Sequence, residues 1–204
     1  MRIRIWTIFL ILFTFFSASC KRAEQIVSEP RFFEAKELGW RMEIPPNWDR
    51  MSEEEAKKHN DRGRKEIEST LKIDSAIKTD SAAEATRTLI NLKKNHNAFF
   101  STTQPSTHKN NEDFTKSESD LAQVVKTAFE AQGMKCDITN SETMISGLLF
   151  QTTLMKIQFP KFEGGYTWHS RIINGSDFSM GMFYADSEGK AAFEDIIATS
   201  VFKQ

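Results

Sequence analysis

Cysteine is scarce in this 204-residue chain, which contains only Cys20 and Cys136. Two cysteines without a C-x-x-C spacing exclude a disulfide-rich scaffold and the common cysteine-based zinc and redox motifs. Cys136 lies in the stretch GMKCDIT, whose alternation is typical of a strand. We therefore predict a small buried side chain at Cys136 rather than a nucleophile.

Catalytic signatures are also missing. The sequence has no H-E-x-x-H, no G-x-S-x-G, no phosphate-binding loop and no dinucleotide fingerprint, and no two of its four histidines are spaced i, i+4. His169 is expected to be solvated or at the edge of the core, so that its replacement by alanine leaves stability little changed. The sequence predicts no catalytic residue, no metal site and no cofactor, and therefore a protein that is not an enzyme.

Neither sign of charge dominates, because 27 Lys and Arg stand against 28 Asp and Glu. Residues 1–19 contain two arginines and no acid, so the remainder has a net charge of about −3. Basic and acidic residues are interspersed, whereas a duplex-binding surface needs a clustered basic face. We expect no nucleic-acid partner.

Long hydrophobic runs are absent too. The apolar run Ile5–Phe16 is shorter than the roughly 20 residues that cross a bilayer as a helix. Arg2 and Arg4 precede it, and Ser17, Ala18 and Ser19 follow it, in the order of a secretory signal. Residues 1–19 are therefore predicted to be a signal peptide.

Cys20 follows these small residues directly, and the stretch FTFFSASCKR resembles a bacterial lipobox, with Ser17 where leucine is usual. The resemblance implies cleavage before Cys20 and lipid attachment (palmitate and related acyl chains) to its sulfur. Two or more acyl chains anchor a protein stably. Residues 20–30 would then tether a domain to a membrane of the bacterial cell envelope, facing the periplasm or exterior. Ordinary signal-peptide cleavage is the alternative.

The first half of the remaining chain predicts a hairpin and a charged insert. Alternation in Trp40–Ile44, with a turn at Leu38-Gly39, indicates two strands, the first around 31–35. Ser52 and Glu55 form a capping box that begins a helix. Residues 52–95 form the charged, helical insert, within which Leu89, Ile90 and Leu92 fit either a helical turn or the beginning of a strand.

The second half predicts two helices and a strand meander. A strand over residues 98–105 ends at Pro105, and a polar loop follows. The helix SDLAQVVKTAFEAQG is capped by Ser119 and Gly133. Asn174-Gly175 is a strong hairpin signal. The other expected features are strands Met134–Thr139, Thr143–Phe150 and Thr153–Phe159, a turn at Gly164-Gly165, a final helix capped by Asp186 or Ser187, and Val201 and Phe202 closing onto the sheet.

This order predicts one α+β domain over residues 31–204, with an antiparallel β-sheet flanked by helices. The strand start GWRMEIPPNW and the closing FEDIIATSVF resemble the PsbP/Mog/DcrB-like group of small domains. The resemblance implies an antiparallel sheet sandwiched by helices and a role as an accessory or binding module, at exported or membrane-tethered locations. In that group PsbP proteins assist a photosynthetic complex, Mog proteins bind a small GTPase and DcrB-like proteins are envelope lipoproteins.

Trp40, Trp48 and Trp168 are the candidate partner or ligand surface. The alternative is that these rings fill the core, as alternation on strands favours, and Trp48 is the one expected to be exposed if any is. We expect a lipid-anchored envelope protein that acts as an accessory or protein-binding module, with an unknown envelope protein as partner. A carrier of small apolar ligands is the alternative, and an enzyme is a third.

Overall fold

A computed structural model describes residues 31–52, 54–58, 86–159 and 162–203, except for the side chain of Glu163. The predicted signal peptide, Cys20, the tether and most of the insert (residues 59–85) lie outside these ranges. In the described part, no helix is both long enough and apolar enough to cross a membrane.

Ten strands and two long helices make up the described structure. The strands are β1 (Arg31–Ala35), β2 (Trp40–Ile44), β3 (Asp49–Arg50), β4 (Arg87–Lys94), β5 (Asn97–Pro105), β6 (Lys135–Ile145), β7 (Leu148–Gln158), β8 (Glu163–Ile173), β9 (Ser176–Tyr184) and β10 (Val201–Phe202). The helices are α1 (Asn111–Ala131) and α2 (Ser187–Thr199), with a 3-10 turn at Lys36–Leu38 and a helical turn at residues 54–58. The α+β prediction is confirmed at this level.

Two antiparallel sheets form. The small sheet has the order β1-β2-β10, and the large sheet has the order β3-β4-β5-β9-β8-β7-β6. The predicted hairpin of β1 and β2 is confirmed, with Gly39 at φ 63° after the 3-10 turn. Val201 and Phe202 pair with β2 as predicted, so the small sheet joins the two ends of the domain.

Two tight turns set the register of the large sheet. Asn174-Gly175, at φ 50° and 75°, joins β8 to β9 as predicted, because both turn positions need positive φ. Ser146-Gly147, at φ 50° and 79°, joins β6 to β7 in the same way. This second turn was not predicted.

Three strand boundaries were wrong. Asn140-Ser141 and Gln151 lie inside β6 and β7, because continuous pairing with the neighbouring strand outweighs the weak local turn preference of these residues. Gly164 and Gly165 lie inside β8 rather than in a turn. A side chain at Gly165 would overlap the ring of Tyr184, so glycine serves here to allow a close approach.

Helix α1 begins eight residues earlier than predicted. Asn110 is the N-cap and accepts a hydrogen bond from the backbone N–H of Asp113 at 2.8 Å, which places Ser119 in the helix interior. Residues 111–118 are therefore helical rather than loop. The predicted end is confirmed, since Gly133 takes φ 80° just beyond the helix.

Other local predictions are confirmed. Ser52 and Glu55 form a reciprocal capping box, and Asp186 caps α2 by accepting from Gly189 N–H at 2.8 Å. The strand beginning near Leu89 is β4. A strand, rather than helix, therefore occupies the end of the insert.

Side chains on the two faces of the large sheet form two cores. One core lies between this sheet and the layer of the small sheet and α2. The other lies under α1, which packs on β6, β7 and β8. The first core includes Trp40, Phe99, Phe178, Met180, Met182 and Phe193, and the second includes Ala122, Cys136, Met155, Ile157 and Trp168.

Candidate functional site

The three candidate tryptophans lie in the core. Trp40, Trp48 and Trp168 are 0, 1 and 4% exposed, so the structure offers none of these rings to a partner. Trp40 packs edge-on against Phe178 and donates its ring N–H to Ser200 Oγ at 3.2 Å. The surface interpretation is corrected to the core interpretation. Strand alternation turns Trp40 into the first core and Trp168 into the second, and the turn that begins at Pro45 places Trp48 in the first core.

A partly buried polar contact fixes the first half of α1 above β8. Glu118 accepts hydrogen bonds from Trp168 Nε1 at 3.1 Å and from Ser170 Oγ at 2.6 Å, and Ser170 lies 3.1 Å from Ser179 Oγ. Phe114, one helical turn before Glu118, is buried. The position of the helix therefore depends on a carboxylate as well as on apolar packing.

Beside this contact, an open cleft of about 670 Å³ lies between the side of α1 and the surface of β6, β7 and β8. Its wall is mixed, with hydroxyl, amide, charged and apolar side chains. The residues along it include Asn111, Thr115, Ser119, Gln151, Leu149 and Ile172. We take this cleft as the candidate functional site.

Two of the charged side chains at the cleft have partners on the same element or on the neighbouring strand. Lys116 pairs with Asp120 at 2.5 Å, and Glu142 accepts from Gln151 Nε2 at 3.0 Å. In the part of the chain that the structure describes, no group of three or more His, Cys, Asp and Glu residues could hold a metal ion. The cleft suits binding of a segment that has both polar and apolar groups, because hydroxyl, amide and apolar side chains line the same surface.

The loop before α1 is braced at the same end of the sheet. His108 Nε2 lies 3.4 Å from Asp177 Oδ2, which also accepts from Gln104 Nε2 at 3.3 Å. The ring of His108 meets that of Phe114 edge-on, with centroids 5.3 Å apart. These contacts hold the start of the helix, and hence the mouth of the cleft, against β5 and β9.

His169 faces the opposite side of the large sheet, and it is buried rather than solvated or at the edge of the core as expected. It is 6% exposed, stacks on Phe193, and its Nδ1 lies 2.7 Å from Thr152 Oγ1, which in turn bonds Thr143. Burial lowers the pKa of His169 to about 4, so the imidazole is neutral near pH 7. Its strand position was recognised, but its burial depends on α2, which follows 18 residues later.

The prediction that Cys136 is buried is confirmed. It lies under α1, and burial raises the pKa of its thiol. A thiol held in its protonated form is a poor nucleophile.

The sequence missed the cleft itself. Its residues come from α1, β6, β7 and β8, and Glu118 is 50 and 52 residues away from the two side chains that it holds. One available signal was the Asn110 cap with acids in the first turn, which would have moved the helix start and placed Thr115 and Ser119 on a helix.

No protein-family model matches the chain. No curated protein matches it either. The structure is similar to the solution structure of cyanobacterial PsbP (CyanoP) from Synechocystis sp. PCC 6803, with a TM-score of 0.53 and 8% sequence identity, over 90% of this chain and 99% of that chain. At this identity the likeness concerns the fold alone, and the described domain therefore has a PsbP-like fold.

Proposed function

We propose that this protein is a non-catalytic lipoprotein of the bacterial cell envelope whose PsbP-like domain binds a protein partner as an accessory module. The anchor is Cys20, and residues 20–30 are the tether. The support for this half of the proposal is the order of basic, apolar and small residues before Cys20.

The observation that carries the partner interpretation is the composition of the cleft rim. Leu149 is 48% exposed at the cleft, and Met144, opposite it on β6, is 62% exposed. Exposed apolar side chains surrounded by polar groups are typical of protein interfaces. The two side chains lie on the surface toward α1, where a partner could bury them against the cleft.

The alternative, a carrier of small apolar ligands, has less support. Such a carrier would need an enclosed pocket lined by tryptophan and methionine between the sheet and the helices. Trp40, Met180 and Met182 are fully buried and belong to one packed core cluster. In the described residues, this group of side chains is already used for packing.

The anchor is tested by expressing the full-length chain in a bacterium beside its Cys20→Ala form. We expect acyl mass and membrane partition for the wild type and loss of both for the variant, since several acyl chains hold a protein at a membrane. If both forms are soluble and merely cleaved, the lipoprotein proposal fails.

The partner surface is tested by cross-linking in the same cells, followed by mass spectrometry of the captured neighbours. Leu149→Asp should reduce capture of a specific neighbour, while Val201→Asp, at a comparably exposed apolar position in β10, should leave it unchanged. Equal capture by both variants would exclude the cleft rim as the partner surface.

A further inference from the structure

Among the strands that the structure describes, β6 lies at the end of the large sheet and pairs only with β7. The two-residue turn at Ser146-Gly147 makes Ile145 and Leu148 a hydrogen-bonded pair, so the odd-numbered residues of β6 bond to β7. The even-numbered residues point their backbone N–H and C=O groups away from the sheet. In the described ranges, no backbone bond to those outward groups is present.

This edge lacks several of the features that usually prevent pairing, although Asp137 and Glu142 carry charge. Edge strands of natural proteins are commonly short, bulged, or interrupted by proline or lysine. Strand β6 is eleven residues long, its register with β7 is continuous, and its only lysine is its first residue. Asn140, Ser141 and Glu142, at the middle, are exposed.

We propose that β6 pairs antiparallel with β6 of a second copy of this chain, about a two-fold axis at Asn140. Asn140 is the midpoint of Lys135–Ile145, so this register overlaps the full strand. In a two-fold interface the same surface is used by both copies. The two large sheets then become one continuous sheet.

In this register each charged side chain of β6 lies opposite an uncharged one. Lys135 lies opposite Ile145, Asp137 opposite Thr143, and Glu142 opposite Ile138, so no like charges meet. Thr139 of one copy lies opposite Ser141 of the other, so their hydroxyl groups face each other. The even-numbered residues meet one another, which places their free N–H and C=O groups in hydrogen-bonding positions.

The symmetry also places corresponding parts of the two copies on one side. A two-fold axis between antiparallel edge strands is perpendicular to the sheet, so both α1 helices lie on one face and both small sheets on the other. Residue 31 begins β1 of the small sheet, so both chains enter from the same side. The pairing is compatible with two anchors in one membrane but does not depend on an anchor.

A charge exchange at Asn140 tests the pairing. Two differently tagged full-length copies are co-expressed, both with Cys20→Ala so that a shared membrane or micelle cannot join them, and co-purification is measured. Asn140→Lys in both copies, or Asn140→Asp in both, places like charges at the axis and should reduce co-purification at least about tenfold. One Asn140→Lys copy with one Asn140→Asp copy should restore it.

The mixed pair also serves as the folding control, since it contains the same two variant chains. His96→Lys in both copies, at an exposed position in the turn between β4 and β5 and away from β6, should co-purify as the wild type does. The proposal is overturned if wild-type copies do not co-purify, or if the like-charged pairs co-purify as well as the mixed pair. Capture of another protein's strand by β6, without a second copy, would overturn it equally.

Discussion

At the scale of single residues, two glycines with similar backbone conformations differ in what surrounds them. Gly39 and Gly133 have φ of 63° and 80°, which glycine adopts without steric cost. A Cβ atom at Gly39 would lie 2.2 Å from the backbone oxygen of Lys203, whereas nothing lies within 4 Å of one at Gly133. Gly39 also accepts a hydrogen bond from Lys203 N–H at 2.8 Å.

Gly39→Ala should therefore destabilise the domain much more than Gly133→Ala. The left-handed conformation alone costs an alanine about 1 kcal/mol, which is the expected loss at Gly133. Gly39→Ala must also displace the backbone next to β10, and its total cost should exceed about 2 kcal/mol. Urea unfolding of both variants measures this difference, and equal losses would contradict the close approach of Lys203.

A second prediction at this scale concerns His169 and acid. The pKa of His169 is about 4 in the folded state and near 6.5 in the unfolded state. As the pH falls, the unfolded state therefore binds a proton at His169 before the folded state does. The free energy of unfolding should decrease between pH 6.5 and 4, by up to about 3 kcal/mol from this residue, and should be independent of His169 above that range.

The measurement is urea unfolding of the wild type and His169→Gln at several pH values from about 7.5 to about 3, limits that bracket the two pKa values. The variant should show a shallower loss on acidification. His96→Gln, which removes an exposed histidine in the turn after β4, should follow the wild type. Parallel curves for the wild type and His169→Gln would show that the imidazole does not stay neutral in the fold.

At the scale of elements, α1 is the part whose attachment decides the shape of the cleft. Glu118→Ala removes the acceptor for Trp168 Nε1 and Ser170 Oγ and should cost about 2 kcal/mol, because the buried Trp168 N–H is then left unpaired and Ser170 retains only Ser179. Asp120→Ala, two residues later on the same helix, removes only the exposed pair with Lys116 and should cost about 0.5 kcal/mol or less.

Chemical denaturation followed by tryptophan fluorescence measures both variants. Trp168 reports directly on the contact with Glu118, so its emission should change in folded Glu118→Ala and not in Asp120→Ala. Equal losses of stability would mean that the carboxylate does not hold the helix to the sheet.

At the same scale, some turns and helix caps could be predicted from the sequence alone. Asn174-Gly175, Asp186 and the pair Ser52 and Glu55 act on neighbouring residues, and each was predicted correctly. Asn140-Ser141 was misread as a turn because its conformation is decided by pairing with β7. Turn preferences describe the local chain alone, whereas strand continuity depends on residues further along it.

The candidate site was less predictable than the fold for a related reason. Periodicity identified buried faces, and it placed Trp40 and Trp168 on strands whose side chains alternate. It could not show which strands α1 covers, or that Glu118 reaches Ser170 across 52 residues. A cleft between distant segments is a product of tertiary packing, which is absent from any short window of sequence.

At the scale of the whole molecule, Phe202 connects the last strand to the central core. Its ring lies 6.2 Å from that of Trp40, 5.3 Å from Phe150 and 5.7 Å from Phe178, measured between centroids. Phe202→Ala should cost about 3 to 5 kcal/mol, as large deletions in a core do. Val201→Ala, on the exposed side of the same strand, should cost about 0.5 kcal/mol or less.

Thermal or urea unfolding of both variants provides the comparison. A small loss for Phe202→Ala would mean that β10 is dispensable to the core. A large loss should be accompanied by a cooperative transition at lower denaturant, because the small sheet, α2 and the large sheet share one core cluster.

The order β1-β2-β10 also determines when the domain can fold during its synthesis. Its small sheet combines residues 31–44 with residues 201–202, so the central core stays incomplete until residues 201–202 have been made. Contacts between such distant segments close large loops and form slowly. The core can therefore form only after residues 201–202 have left the ribosome.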